Sequence, residues 1–73
     1  MLLKSYGLAF RERREASGIR QGDVAEAAGV ARPMLSEMET GKRVCDQATY
    51  QRLIAALESC VAERDAAYET MRG

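Results

Sequence analysis

The stretch GIRQGDVAEAAGVARPMLSEMETGKR, residues 18–43, divides at a glycine and at the only proline of the chain into two short segments. Residues 21–28 and 32–39 each have apolar side chains three and four positions apart, which is helical spacing. Gly29 ends the first segment. Proline costs about 3 kcal/mol inside a helix but almost nothing in its first turn, so Pro33 marks the beginning of the second. The pattern predicts a helix-turn-helix over residues 21–40.

The second of these helices has one apolar side and one polar side. If Leu35 and Met38 face inward, helical geometry places the following residues on the outward side: Arg32, Pro33, Ser36 and Glu37. Arginine can donate two hydrogen bonds to guanine, glutamate can accept one from cytosine, and a proline can contact a thymine methyl group. This face is therefore a candidate for reading base edges, with Glu37 alternatively a solvated residue or a deterrent to wrong sites.

The flanking segments also have helical patterns. Ser5 is a candidate N-cap for a first helix that ends at about Ser17, and Asp46 is one for a fourth helix over residues 47–71. A break near residues 58–60 is the alternative to one long helix. Because no strand-like alternation occurs, we predict an all-α fold of four or five helices in a single domain, residues 1–73.

Composition limits the size of the core. Large apolar residues are few, and the candidates are Tyr6, Phe10, Ile19, Val24, Val30, Leu35, Met38, Leu53, Ile54 and Leu57. The chain has 73 residues, a size at which burial alone gives marginal stability and a partner chain often helps. We therefore expect packed helices and favour a homodimer.

The chemistry of the side chains argues against catalysis. There is no histidine, no nucleophile paired with a base and no glycine-rich phosphate loop, so we expect neither an enzyme nor a cofactor. The two cysteines, Cys45 and Cys60, lack metal-ligand spacing and are expected to be reduced thiols, with no metal site. No segment resembles a signal peptide or a membrane span, which predicts a cytoplasmic protein with no membrane association.

Charge is distributed unevenly although the net charge is zero. Residues 1–43 carry eight cations and six anions, whereas residues 44–73 carry three cations and five anions. The first part is thus +2 and the second −2. The basic end can still face nucleic acid.

Residues 18–43 resemble the helix-turn-helix of the Cro and lambda-repressor type, also called the XRE family. The likeness lies in the Gly-apolar-x-Gln start, the apolar-Ala pair, the Gly-Val turn and the Glu-x-Gly-Lys end. It extends over about residues 6–57 and implies a lambda-repressor-like bundle and DNA-binding transcription regulation. The chain departs from the family at Ala31, where serine or threonine is usual, and at Cys45, where proline is usual.

The resemblance also implies roles for individual residues. Arg32, Pro33 and Glu37 match base-reading positions. Positions that meet the DNA backbone are matched by Arg20, Gln21, Thr40, Lys42 and Arg43. Arg14 of the first helix is implied to pair with Glu39 at the end of the third.

The end of the last predicted helix has a seam of its own. Its residues are separated by alternating steps of four and three, a period of 3.5 that is typical of a contact between helices. They are Leu57, Val61, Arg64, Tyr68 and Met71. We predict that this seam forms the interface of a homodimer and that the dimer, a repressor, binds a palindromic double-stranded DNA operator. Two alternatives remain: the tail folds back on its own domain, or the chain is an antitoxin-like or adaptor module that holds a partner protein.

Overall fold

The structure, a computed structural model, describes residues 6–72 and contains four α-helices in that range. They are α1, Gly7–Ser17; α2, Gln21–Ala28; α3, Arg32–Glu39; and α4, Gln47–Arg72. No strand occurs among the described residues, so the all-α prediction is confirmed. The proposed cap Ser5 lies outside the described residues, and Tyr6 precedes the first helix.

The helix ends follow from local chemistry. Gly29 ends α2 with φ 73°, a left-handed conformation that glycine adopts without steric cost. Ala31 precedes α3 in an extended conformation and makes no side-chain capping bond. Asp46 caps α4, since its Oδ1 accepts a hydrogen bond from the backbone nitrogen of Thr49 at 2.8 Å.

The Asp46 cap also changes an ionisation. Because the Thr49 hydrogen bond favours the charged form of the carboxylate, the pKa of Asp46 is lowered from its ordinary value of 3.8. The Asp46 carboxylate is therefore ionised throughout the neutral pH range. It lies at the N-terminus of α4, where the helix dipole favours an anion.

The core lies where the four helices meet. α4 packs against α2 and α1, while α3 packs against both α1 and α2. The fully buried side chains are Phe10, Val24, Leu35, Cys45 and Leu53. Tyr6, a candidate for the core, is instead 39% exposed at the edge, where its ring lies 5.2 Å from that of Tyr50.

α4 is longer than the body of the domain. It continues through residues 58–60 as one helix, so the break considered from the sequence is absent. Every described side chain from 62 to 71 is exposed, whereas Leu57 and Val61 still pack on the core. The last turns of α4 therefore project from the body, and the molecule measures 50 × 22 × 17 Å.

Candidate nucleic-acid interface

The outer side of α3 is polar and open to solvent. Arg32 and Pro33 are exposed, Ser36 and Glu37 are partly exposed, and on the opposite side Leu35 and Met38 are buried. The turn before the helix is fixed because the Val30 nitrogen donates to the Ala25 carbonyl at 3.0 Å. The four candidate base-reading residues thus share one accessible surface, which we call the α3 face.

A buried ion pair holds the end of α3 against α1. Arg14 donates from Nε and Nη2 to the two carboxylate oxygens of Glu39, each at 2.8 Å, and from Nη1 to the Ile19 carbonyl at 2.9 Å. Glu39 is 2% exposed, and its hydrogen bonds with Arg14 raise the pKa of the guanidinium against the opposing effect of burial. This two-bond geometry fixes orientation as well as distance.

Gln21 connects that buried pair to the beginning of α3. Its Nε2 donates to Glu39 Oε1 at 3.1 Å, and its Oε1 accepts from Arg32 Nε at 3.4 Å. An amide nitrogen carries two hydrogens, so a second donor remains for an external acceptor such as phosphate. The hydrogen bond with Arg32 is long, and long hydrogen bonds are weak.

The exit from α3 is a tight loop. Thr40 donates its hydroxyl to the Ser36 and Glu37 carbonyls at 3.0 and 3.3 Å, and Gly41 has φ 84°. The backbone nitrogens of Lys42 and Arg43 then donate to the Glu37 carbonyl at 2.8 and 3.2 Å. These bonds place both cationic residues, which are exposed, beside the end of the α3 face.

Glu37 also has a partner that sequence reasoning did not find. Arg43 Nε lies 3.0 Å from Glu37 Oε1, and the two side chains are 50% and 46% exposed. No spacing rule for helices connects these positions, because Arg43 lies in the loop beyond Gly41. The pairing becomes visible only when the loop turns back over the helix.

The other end of the α3 face has cations as well. Arg20 is exposed, and its Nε lies 3.6 Å from Oδ2 of Asp23. It lines a shallow open recess together with Gly22, Asp23 and Arg32. Candidate phosphate contacts therefore stand at both ends of α3, with Arg20 and Gln21 at the start and Thr40, Lys42 and Arg43 at the exit.

The residues of the predicted dimer seam differ in their exposure and contacts in the structure. Leu57 is 2% exposed and belongs to the core of its own chain, so it is not available to a second copy. Arg64 donates from Nη1 to the Ser17 carbonyl at the end of α1, so this side chain also contacts its own domain. Of the remaining residues, Val61 is partly buried, while Tyr68 and Met71 are 61% and 82% exposed.

The described residues contain no group of three or more acidic or cysteine side chains placed to hold a metal ion. None of the helices in that range has the length and apolar character needed to cross a membrane. Cys45 and Cys60 are thiols, and burial raises the pKa of each.

Comparison with known proteins agrees with this geometry. The model of a helix-turn-helix domain family matches residues 5–67, which include α1, α2, α3 and most of α4. Searches of curated proteins and of solved structures returned no match. The chain therefore belongs to the helix-turn-helix domain family, which supports a DNA-binding regulator in general and is consistent with the resemblance to the Cro and lambda-repressor type.

Proposed function

We propose that this protein is a sequence-specific transcription regulator, a repressor that binds a palindromic operator as a homodimer. The observation that supports it most is the α3 face, a polar exposed surface on a helix whose opposite side is buried and whose two ends carry cations. Eight residues of helix span about 12 Å, which is close to the width of a major groove. Cations at both ends can then meet phosphates on both edges of the groove.

Arg32 is the residue we assign to base reading. Its guanidinium is exposed, and its bond with Gln21, at 3.4 Å, is long enough to yield to a bidentate contact with guanine. Lys42 and Arg43 in the exit loop, with Arg20 and Gln21 at the start, fix the position of the protein along the backbone.

Selection of bound sites from a pool of random duplexes tests this proposal directly. We expect a two-fold symmetric motif with half-sites about one helical turn apart. Repeated selection without any enriched sequence would contradict sequence-specific binding. A reporter driven by the enriched site should then lose expression when the protein is produced, and an increase would contradict repression.

Two substitutions separate base reading from phosphate binding. Arg32→Ala should lose about 1–3 kcal/mol on the selected site and relax the preference at one base pair. Lys42→Ala should weaken binding to all sequences alike and reduce the salt dependence by about one phosphate contact. Mobility-shift titrations on selected and random duplexes measure both, and an equal loss on both duplexes for Arg32→Ala would refute its assignment.

We propose that two copies of the chain contact each other through the projecting end of α4. Tyr68 and Met71 are exposed there beyond the core, and each twin would cover the apolar surface of the other. Tyr68→Glu should give a monomer in sedimentation equilibrium and weaken operator binding, because one half-site alone would be held. Leu8→Glu is the matched control, since Leu8 is 56% exposed on α1, and it should leave the dimer intact.

The same exposed end favours a second candidate function. An antitoxin-like or adaptor protein would use Tyr68 and Met71 to hold a partner protein instead of a twin. A monomer at high concentration that binds no selected DNA would favour this alternative, whereas a dimer that binds its selected site excludes it as the main role.

A further inference from the structure

Glu37, a candidate for base reading, forms an ion pair with Arg43 of the exit loop. Both the side chain and the backbone of Glu37 are engaged with the exit loop: its Oε1 accepts from Arg43 Nε at 3.0 Å, and its carbonyl accepts from two loop nitrogens. A carboxylate committed to a guanidinium has less capacity to accept from cytosine. The hydrogen bond with Glu37 is made by Nε of Arg43 and does not use either terminal nitrogen of the guanidinium.

We propose that Glu37 is a positioning residue, which orients the guanidinium of Arg43 toward a DNA phosphate. This role rests on the proposed function. A flexible arginine in a loop loses rotamer entropy when it binds phosphate. Holding the side chain by Nε before the encounter reduces that loss and leaves the planar pair of terminal nitrogens for phosphate oxygens. The acidic residue on the α3 face therefore strengthens DNA binding, although its own charge is repelled by phosphate.

The sign of one substitution distinguishes this role from simple repulsion. Removal of an anion from a DNA-binding surface strengthens binding to any duplex if charge alone matters. Under the positioning role, Glu37→Ala instead weakens binding to a mixed-sequence 30-base-pair duplex by up to about five-fold, the upper end of the coupling measured for exposed ion pairs. Arg43→Ala weakens binding at least as much, and the double variant is no weaker than Arg43→Ala alone.

Two controls complete the set. Glu37→Gln keeps an oxygen that can accept from Arg43 Nε and should recover the affinity lost in Glu37→Ala. Glu58→Ala removes the same charge from an exposed position on α4 and should not weaken binding to the duplex. Circular dichroism melts verify that each variant is folded at the temperature of the titration.

The measurement is fluorescence anisotropy on the mixed-sequence duplex and on a site selected from random DNA, each at several salt concentrations. We expect Glu37→Ala to weaken both duplexes alike and to leave the base preference unchanged. Tighter binding by Glu37→Ala, a loss confined to the selected site, or additive losses in the double variant would each overturn the positioning role. Failure of the unsubstituted protein to bind either duplex would instead overturn the proposed function.

Discussion

A single methyl group added at Gly7 should separate α1 from α3. A Cβ built on Gly7 would lie 2.6 Å from the carbonyl carbon of Met38, closer still to its oxygen, and 3.4 Å from the Glu39 nitrogen. Carbon atoms in contact are normally about 3.5–4.0 Å apart. The neighbouring atoms belong to the backbone and cannot rotate away, so Gly7→Ala forces the two helices apart by at least about 1 Å.

The cost can be scaled against the stability of the whole domain. Overpacking of this kind costs about 1–3 kcal/mol, and the shift also acts on the ion pair of Glu39 with α1, so about 3 kcal/mol is expected. At about 0.05–0.15 kcal/mol per residue, a chain of 73 residues has a free energy of unfolding of about 4–11 kcal/mol. The melting temperature should therefore fall by roughly 12–24 °C.

The matched control is the same substitution at Gly22 in α2. There a Cβ would meet only the Cδ atom of Arg32, at 3.9 Å, which is ordinary contact. Alanine has the higher helix propensity, so Gly22→Ala should stabilise the protein by up to about 1 kcal/mol. Thermal and urea denaturation followed by circular dichroism measure both variants. An unchanged or raised melting temperature for Gly7→Ala would show that α1 and α3 do not approach this closely.

Three further substitutions test the contacts that hold the helices together. Glu39→Gln leaves the buried charge of Arg14 without its counterion and should cost about 3–5 kcal/mol in urea denaturation; a loss below about 1 kcal/mol would mean that the pair behaves as a surface pair. The lowered pKa of Asp46 means that its charged cap stabilises the fold above the ordinary pKa of 3.8 and loses this effect as the pH falls through the lowered value. Asp46→Asn should therefore melt lower than the parent at neutral pH and alike in strong acid, and a constant difference at all pH values would contradict the assignment. Arg64→Ala removes a half-exposed donor to the end of α1 and should cost less than about 1 kcal/mol without changing the oligomeric state in sedimentation, whereas a monomer would return Arg64 to the dimer interface.

The helices were predictable because local chemistry determines where each begins and ends. Gly29 needs a positive φ that other residues avoid, Pro33 is tolerated only in a first turn, and Asp46 accepts a hydrogen bond from the first turn of α4. These effects act within a few residues of the chain and can be recognised in the sequence. The polar side of α3 follows as well, because helical spacing determines which residues oppose Leu35 and Met38.

What the sequence did not reveal depends on tertiary approach. The requirement for glycine at position 7 comes from the Met38 backbone, which is remote in the chain. The pairing of Glu37 with Arg43 requires the loop to turn back, and the bond from Arg64 requires α4 to pass beside the end of α1. Leu57 fits the helical seam and the core equally well by spacing, so periodicity alone could not assign it to one of them.

The short length of α3 explains why the stability of the fold and the orientation of the α3 face depend on the same contacts. An isolated helix of eight residues is not stable in water, so its direction must be set by tertiary contacts at its two ends. Glu39 supplies the contact at one end and, through Gln21, is hydrogen bonded toward Arg32 at the other. A substitution that removes the Glu39 carboxylate should therefore disturb Arg32 as well as the core, even though Glu39 itself is buried and cannot reach DNA.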